Sequence, residues 1–197
     1  MNKDVNPEEP GWETVSTQVL YPGPHLRLLI EEVRSPSRPR AFPWTVVRRK
    51  RGGMVAPLTT DGKFILIRQE RVPIRMSLWE FPAGQVDHSD SPGDSDIRDA
   101  ALRELREEAG YEPGPDCEII ALGYYFSSQG FTDERCHMFM ARGVVPSAAG
   151  SAHDAGEAIL ETGSFSPAEL RAMIASNEIR DANTLSVYAR MCARGLL

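Results

Sequence analysis

"RELREEAGY", residues 103–111, sets three glutamates and two arginines within nine positions and closes on a glycine and an aromatic. Read at helical spacing, Glu104, Glu107 and Glu108 share one side, because residues three and four apart are neighbours on a helix. Leu102, Leu105 and Ala109 fall on the other side and are expected to face a core. The helix should begin near Asp94 or Ser95, either of which can cap it, and stop at Gly110. Like charges so placed cost about 0.2–0.5 kcal/mol per pair, and the helix dipole disfavours Glu107 and Glu108 in the last turn. Arg103 can offset Glu107 at i+4, whereas Glu104 and Glu108 have no obvious local partner. Two readings stay open: an acidic face turned to water, or carboxylates placed for a hard divalent cation.

β-prone runs surround this helix. Downstream, "CEIIALGYYFSS" (117–128) and "ERCHMFMARGVV" (134–145) flank "QGFTD". Upstream, "GMVAPLTTDGKFILIRQE" (53–70) reads as two strands around the hairpin signal Asp61-Gly62. An irregular "LWEFPAGQV" (78–86) and a polar loop, "DHSDSPGDS" (87–95), follow. Before them, "TVSTQVLY", "HLRLLIEEV" and "FPWTVVRRKR" are three further strands, so residues 1–50 are read as a small β domain and 51–197 as the main one. Towards the C-terminus come a strand in "EAILETGSF", a capping box at Ser166–Glu169 with Pro167 at the first helical position, and a last helix over "TLSVYARMCA". Strands mixed with three helices indicate an α+β or mixed-sheet sandwich fold.

The bulk composition narrows the function. With 197 residues, 41% hydrophobic and 25% charged, the chain can bury a real core. A net charge of −6 argues against a nucleic-acid partner, since phosphate-backbone binding needs a basic surface. Cys117, Cys136 and Cys192 lack the spacing of a zinc site or disulfide framework and read as reduced thiols. Residues 1–11 are polar and Pro-rich, with no charged leader and apolar run, and no stretch of about 20 apolar residues occurs. The expectation is a cytoplasmic protein without a membrane partner.

"EFPAG" (80–84) followed by "RELREEAGY" resembles the box of the Nudix hydrolases. The matching residues are Gly84, Arg103, Glu104, Leu105, Glu107, Glu108 and Gly110, with Tyr111 as the apolar terminus. Two departures lie in the first half: Gly84 and Arg103 stand five residues further apart than the box has them, and Ser95 takes the place of its first glutamate. Asp94 or Asp96 could substitute, with the extra residues forming a longer loop. The resemblance implies an α/β/α sandwich with a mixed sheet and a small N-terminal antiparallel β domain. It also implies Mg²⁺, with Mn²⁺ as an alternative, on Glu104, Glu108, Glu107 and the main-chain carbonyl of Ala83.

Outside the box, "LIRQERVPIRMSLWEFPAG", "SSQGFTDE" and "ANTLSVYARM" make the chain similar to the ADP-ribose pyrophosphatase branch. That likeness implies hydrolysis of ADP-ribose or a related nucleoside diphosphate sugar, with GDP-sugars, other ADP-sugars or a silent nucleotide-sugar sensor as alternatives. It further implies a homodimer built through the N-terminal strands. Trp44 matches a stacking aromatic, His25 a second such place, and Arg49 and Arg71 match basic residues near the diphosphate or ribose. Gly130 and Glu134 belong to the segment between strands that lines the pocket, where Gln129 replaces the branch's proline. The general base would come from the box, as Glu107, or from the loop "HDAGEAI", as Glu157 with Asp154 behind it. Plainer readings stand beside these: Trp44 as a core or interface residue, Arg71 as a surface ion pair, and "RRKR" as a solvated strand end.

Overall fold

Gly110 adopts φ 71°, and its amide donates to the Arg106 carbonyl at 3.0 Å. A glycine accepts this left-handed conformation without a Cβ penalty, so the acidic helix ends where the sequence permits it. The computed structural model describes residues 10–86, 94–153, 156 and 158–197. Helix α1 spans Asp94–Ala109. It opens at Asp94 itself, so Asp94 and Ser95, expected as caps, lie in its first turn instead, and residues 87–93 of the expected loop fall outside the described residues.

The N-terminal strands β1 (Glu13–Pro22), β2 (Leu26–Ser35) and β3 (Arg38–Arg49) form a separate antiparallel sheet in the order β1-β2-β3. The second sheet begins with β4 (Gly52–Thr59) and β5 (Phe64–Arg71), joined through Gly62 at φ 81°. Residues 78–86, expected to be irregular, instead contribute to β6 (Met76–Glu80) and β7 (Ala83–Gln85). Their order comes from pairing: β6 lies antiparallel on β5, and three residues of β7 lie antiparallel on β4. Strands β8 (Tyr111–Phe126), β9 (Arg135–Pro146) and β10 (Ile159–Phe165) complete the order β10-β5-β4-β9-β8, in which β4 and β9 are parallel. Pro113 is tolerated in β8 because that strand is at the edge, and the register shifts just after it.

Helices α2 (Pro167–Ala175) and α3 (Ala182–Ala193) follow β10, and the predicted capping box at Ser166 and Glu169 is formed. Two apolar clusters define the layers. Val55, Ile65, Ile67 and Phe139 pack with Ile97, Ala101 and Leu105 of α1 on one face of the sheet. Met54, Phe64 and Leu66 pack with Leu170 of α2 and Val187 and Met191 of α3 on the other. Residues 64–67 are consequently a continuous buried apolar run, as expected for a strand covered on both faces. The architecture is an α/β/α sandwich on a mixed sheet with a small antiparallel sheet ahead of it.

The two sheets meet at the segment between β8 and β9. Val47 N–H donates to the Phe131 carbonyl at 2.7 Å, and Arg48 bridges Glu31 at 2.8 Å and Asp133 at 2.9 Å. No helix among the described residues is long and apolar enough to cross a membrane.

Candidate active site

The phase of α1 is set by Ile97, Ala101 and Leu105, all fully buried against the main sheet. That phase carries Glu104 and Glu108 inward as well, to 7% and 2% exposure, while Glu107 stays half-buried. The acidic side is thus no solvated face. The two inward carboxylates also have partners that the sequence did not reveal. Arg103 donates to Glu104 Oε1 at 2.8 Å, in addition to the expected i+4 bond to Glu107 Oε2 at 2.6 Å. Glu108 Oε2 accepts the Ala83 main-chain N–H at 3.0 Å.

Both carboxylates therefore converge on the start of β7. A Cβ on Gly84 would lie 2.0 Å from Glu104 Oε1, so the absent side chain is what admits the carboxylate. This pairing with β4 (Met54 with Ala83, Gly53 with Gly84) fixes the backbone beneath them. The far side of α1 is tied down too: Ala152 N–H donates to the Glu107 carbonyl at 2.9 Å, and His153 Nε2 lies 3.0 Å from the Glu108 carbonyl. These contacts satisfy carbonyls that a helix C-terminus leaves unpaired. Asp154 and Glu157, candidates for the general base, lie outside the described residues.

Arg71 is more than a surface ion pair. Its guanidinium grips Glu80 through both carboxylate oxygens, with Nε 2.9 Å from Oε1, and Glu80 is only 1% exposed. The hydrogen bond to Glu80 holds Arg71 above the usual arginine value, with smaller contributions from Asp181 and Glu108. Burial pushes the Glu80 carboxyl up, against the opposing pull of Arg71. Positive charge is therefore anchored at the end of β5 within the field of the Glu108 carboxylate. Glu80 was missed in the sequence, although an acid between Trp79 and Phe81 in a short apolar run was the available signal.

The remaining residues divide into two places. Arg49 meets Glu134 at 3.0 Å, and Glu134 also accepts the Ser127 hydroxyl at 2.6 Å. His25, Arg27, Arg48, Arg49 and Lys50 line a cavity of about 220 Å³ at the end of the N-terminal sheet. Gly130 is exposed on the connecting segment, with open space where a Cβ would stand. Trp44, 45% exposed, is no core residue; Arg38 lies over its ring at 5.7 Å. Trp44 and Arg49 stand five positions apart on extended strand, roughly 16 Å, so β3 does not bring Trp44 to the Arg49–Glu134 pair.

The donor chemistry suits a hard cation. Glu104 and Glu108 offer carboxylate oxygens over a glycine cradle that any Cβ would fill. Among the described residues, no group of three or more His, Cys, Asp or Glu side chains is arranged to hold an ion. Mg²⁺ typically takes one or two carboxylates and completes its shell with water and substrate phosphate.

The NUDIX domain pattern matches residues 48–186, more than half of the chain and all of α1 and β7. The chain belongs to the Nudix family. A Bacillus methanolicus protein named methanol dehydrogenase activator is 32% identical over 67% of this chain and 66% of its own length. An ADP-ribose pyrophosphatase of Bacillus subtilis (strain 168) is 31% identical over 66% of this chain and 65% of its own length. The matched part thus spans just under two thirds of each relative. A crystal structure described as that of an ADP compounds hydrolase superposes with a TM-score of 0.71, covering 95% of this chain and 97% of that one. At 15% identity that likeness concerns the fold, including the N-terminal sheet. Nudix proteins generally use a divalent metal, often Mg²⁺, and in this Nudix chain the carboxylates that fit one are Glu104 and Glu108.

Proposed function

We propose that this Nudix protein is a Mg²⁺-dependent hydrolase of the pyrophosphate bond of ADP-ribose or a related nucleoside diphosphate sugar. The products are a nucleoside monophosphate and a sugar phosphate. The observation that carries this reading is the convergence of buried Glu104 and Glu108 on the Ala83–Gly84 backbone. The relative named ADP-ribose pyrophosphatase supports the choice of substrate.

Glu104, Glu108 and the Ala83 carbonyl would hold the ion, with Glu107 as a further ligand or as the base. A divalent ion held there would neutralise charge on the diphosphate and acidify water. Arg71, oriented by Glu80, adds a guanidinium beside the phosphates. Glu157, or Glu107 in its stead, takes the proton of the attacking water. The water oxygen bonds to one phosphorus, and the bridging oxygen leaves on the other phosphate. Arg49, Glu134 and Gly130 belong to the nucleoside side of the pocket.

The N-terminal unit, residues 1–50, serves a homodimer in this reading, and Trp44 stacks on the base in the pocket of a partner subunit. Its exposure and its distance from Arg49 along β3 support that assignment. The protein would act in the cytoplasm.

The test is incubation with Mg²⁺ and ADP-ribose, ADP-glucose, GDP-mannose, UDP-glucose, diadenosine polyphosphates and NADH, with products resolved by chromatography. ADP-ribose or another ADP-sugar should be cleaved. Preferential cleavage of GDP-mannose would transfer the assignment to GDP-sugars, and binding without turnover would make the protein a silent sensor.

A further inference from the structure

Helix α3 opens with Asp181-Ala182-Asn183-Thr184, and all three polar side chains are committed. Asp181 is the N-cap; its Oδ2 accepts the Thr184 N–H at 2.7 Å and the Thr184 hydroxyl at 2.9 Å. With that hydroxyl proton given to Asp181, Oγ1 of Thr184 accepts the Phe81 main-chain N–H at 2.9 Å. Asn183 Oδ1 accepts the Tyr125 hydroxyl from β8. Thr184 is 0% and Phe81 1% exposed, so no water can replace this bond. Threonine is a weaker helix former than alanine, so helix propensity does not account for it here. Its purpose lies across the layer, in the backbone between β6 and β7.

Phe81 stands two residues before Ala83, and the intervening Pro82 has a ring-fixed φ. The Pro82 carbonyl accepts Val55 N–H at 3.1 Å, so little slack remains between Phe81 and Ala83. Ala83 then donates to Glu108, and Gly84 receives Glu104. We infer that Thr184 is a positioning residue, holding through its hydroxyl the backbone on which the two carboxylates rest. The inference builds on the metal reading proposed above.

The experiment is Mn²⁺ binding to the full chain without nucleotide, followed by electron paramagnetic resonance, with thermal unfolding and amide exchange measured alongside. Thr184→Val removes the acceptor while keeping the shape, and Mn²⁺ should bind about tenfold more weakly, the lower end of what losing a support behind metal ligands costs. Thr184→Ser keeps the hydroxyl but loses a buried methyl; it should unfold at a lower temperature yet bind Mn²⁺ within about twofold of wild type. Ser166→Ala, which breaks the α2 cap, controls for stability loss and should leave Mn²⁺ binding unchanged. Unchanged binding in Thr184→Val overturns the inference, as does a loss in Thr184→Ser well beyond twofold, which also decides the matter if the valine variant does not fold. Should wild type bind no Mn²⁺, the metal reading falls, and amide exchange decides the positioning role separately. The Ala83 amide should then exchange about tenfold faster in Thr184→Val, and equal rates overturn the inference.

Discussion

Gly84 and Glu104 occupy space that only a glycine can share: a Cβ at position 84 would stand 2.0 Å from Glu104 Oε1 and 2.2 Å from its carboxyl carbon. The obstructing atoms are the end of a flexible side chain, so substitution should move the carboxylate without unfolding the sheet. Gly84→Ala is expected to cost about 1–3 kcal/mol in stability, the range for overpacking. Activity should fall by a larger factor than that stability loss explains, because Glu104 leaves its place over β7. Comparing urea unfolding with kcat at saturating Mg²⁺ tests this, and a fully active Gly84→Ala enzyme would contradict it.

Glu108 offers a cleaner excision. Glu108→Gln preserves shape and an oxygen able to accept the Ala83 N–H, but removes the charge a cation requires. The fold should survive, with kcat reduced about a hundredfold or more and a higher Mg²⁺ concentration needed for half-maximal rate. Titrating Mg²⁺ against initial rate separates the two effects. Wild-type activity in this variant would remove Glu108 from the metal site.

How far the sequence carried these conclusions depended on the distance between interacting residues. The helix carrying Glu104, Glu107 and Glu108 was legible because helical spacing is local, and Arg103 with Glu107 is an i, i+4 pair. The capping box at Ser166 and the hairpin at Asp61-Gly62 were equally local. β7 was not legible: three residues become a strand only through pairing with β4. Nor was the bond between Phe81 and Thr184, which joins residues 103 positions apart. Glu80 and Arg71 meet because β6 folds back on β5, so the partner depends on a register that neither run specifies alone.

That same Glu80 gives a pH dependence with a defined sign. Burial raises its carboxyl above the ordinary glutamate value of 4.5, and Arg71 only partly offsets this. The folded state then holds the proton more tightly than the unfolded chain. The contribution is complete below the unfolded value and is lost as pH rises through the folded one. Relative to Glu80→Gln, wild type should therefore lose stability as pH climbs from about 4.5 towards neutrality. Urea unfolding of both proteins across that window provides the comparison. A difference growing in favour of wild type with rising pH would show that pairing with Arg71 outweighs burial.

The N-terminal sheet leads to the last prediction. β1 is exposed along its whole length, and Val15, Val19, Tyr21, Phe42 and Trp44 each keep between 43% and 53% of their surface open. Exposed apolar side chains in this number suit an interaction surface, and the proposed dimer supplies the simplest occupant, a second copy. Sedimentation velocity on the purified protein should give a dimer, and Val19→Glu, a charge placed in that face, should shift it towards monomer. If Trp44 completes the partner's pocket, the same variant should raise KM for the nucleotide sugar at low protein concentration. It should leave the Mn²⁺ affinity of Glu104 and Glu108 intact, since those residues lie on α1 against the other sheet. A monomeric wild type with full activity would assign Trp44 no part in the pocket.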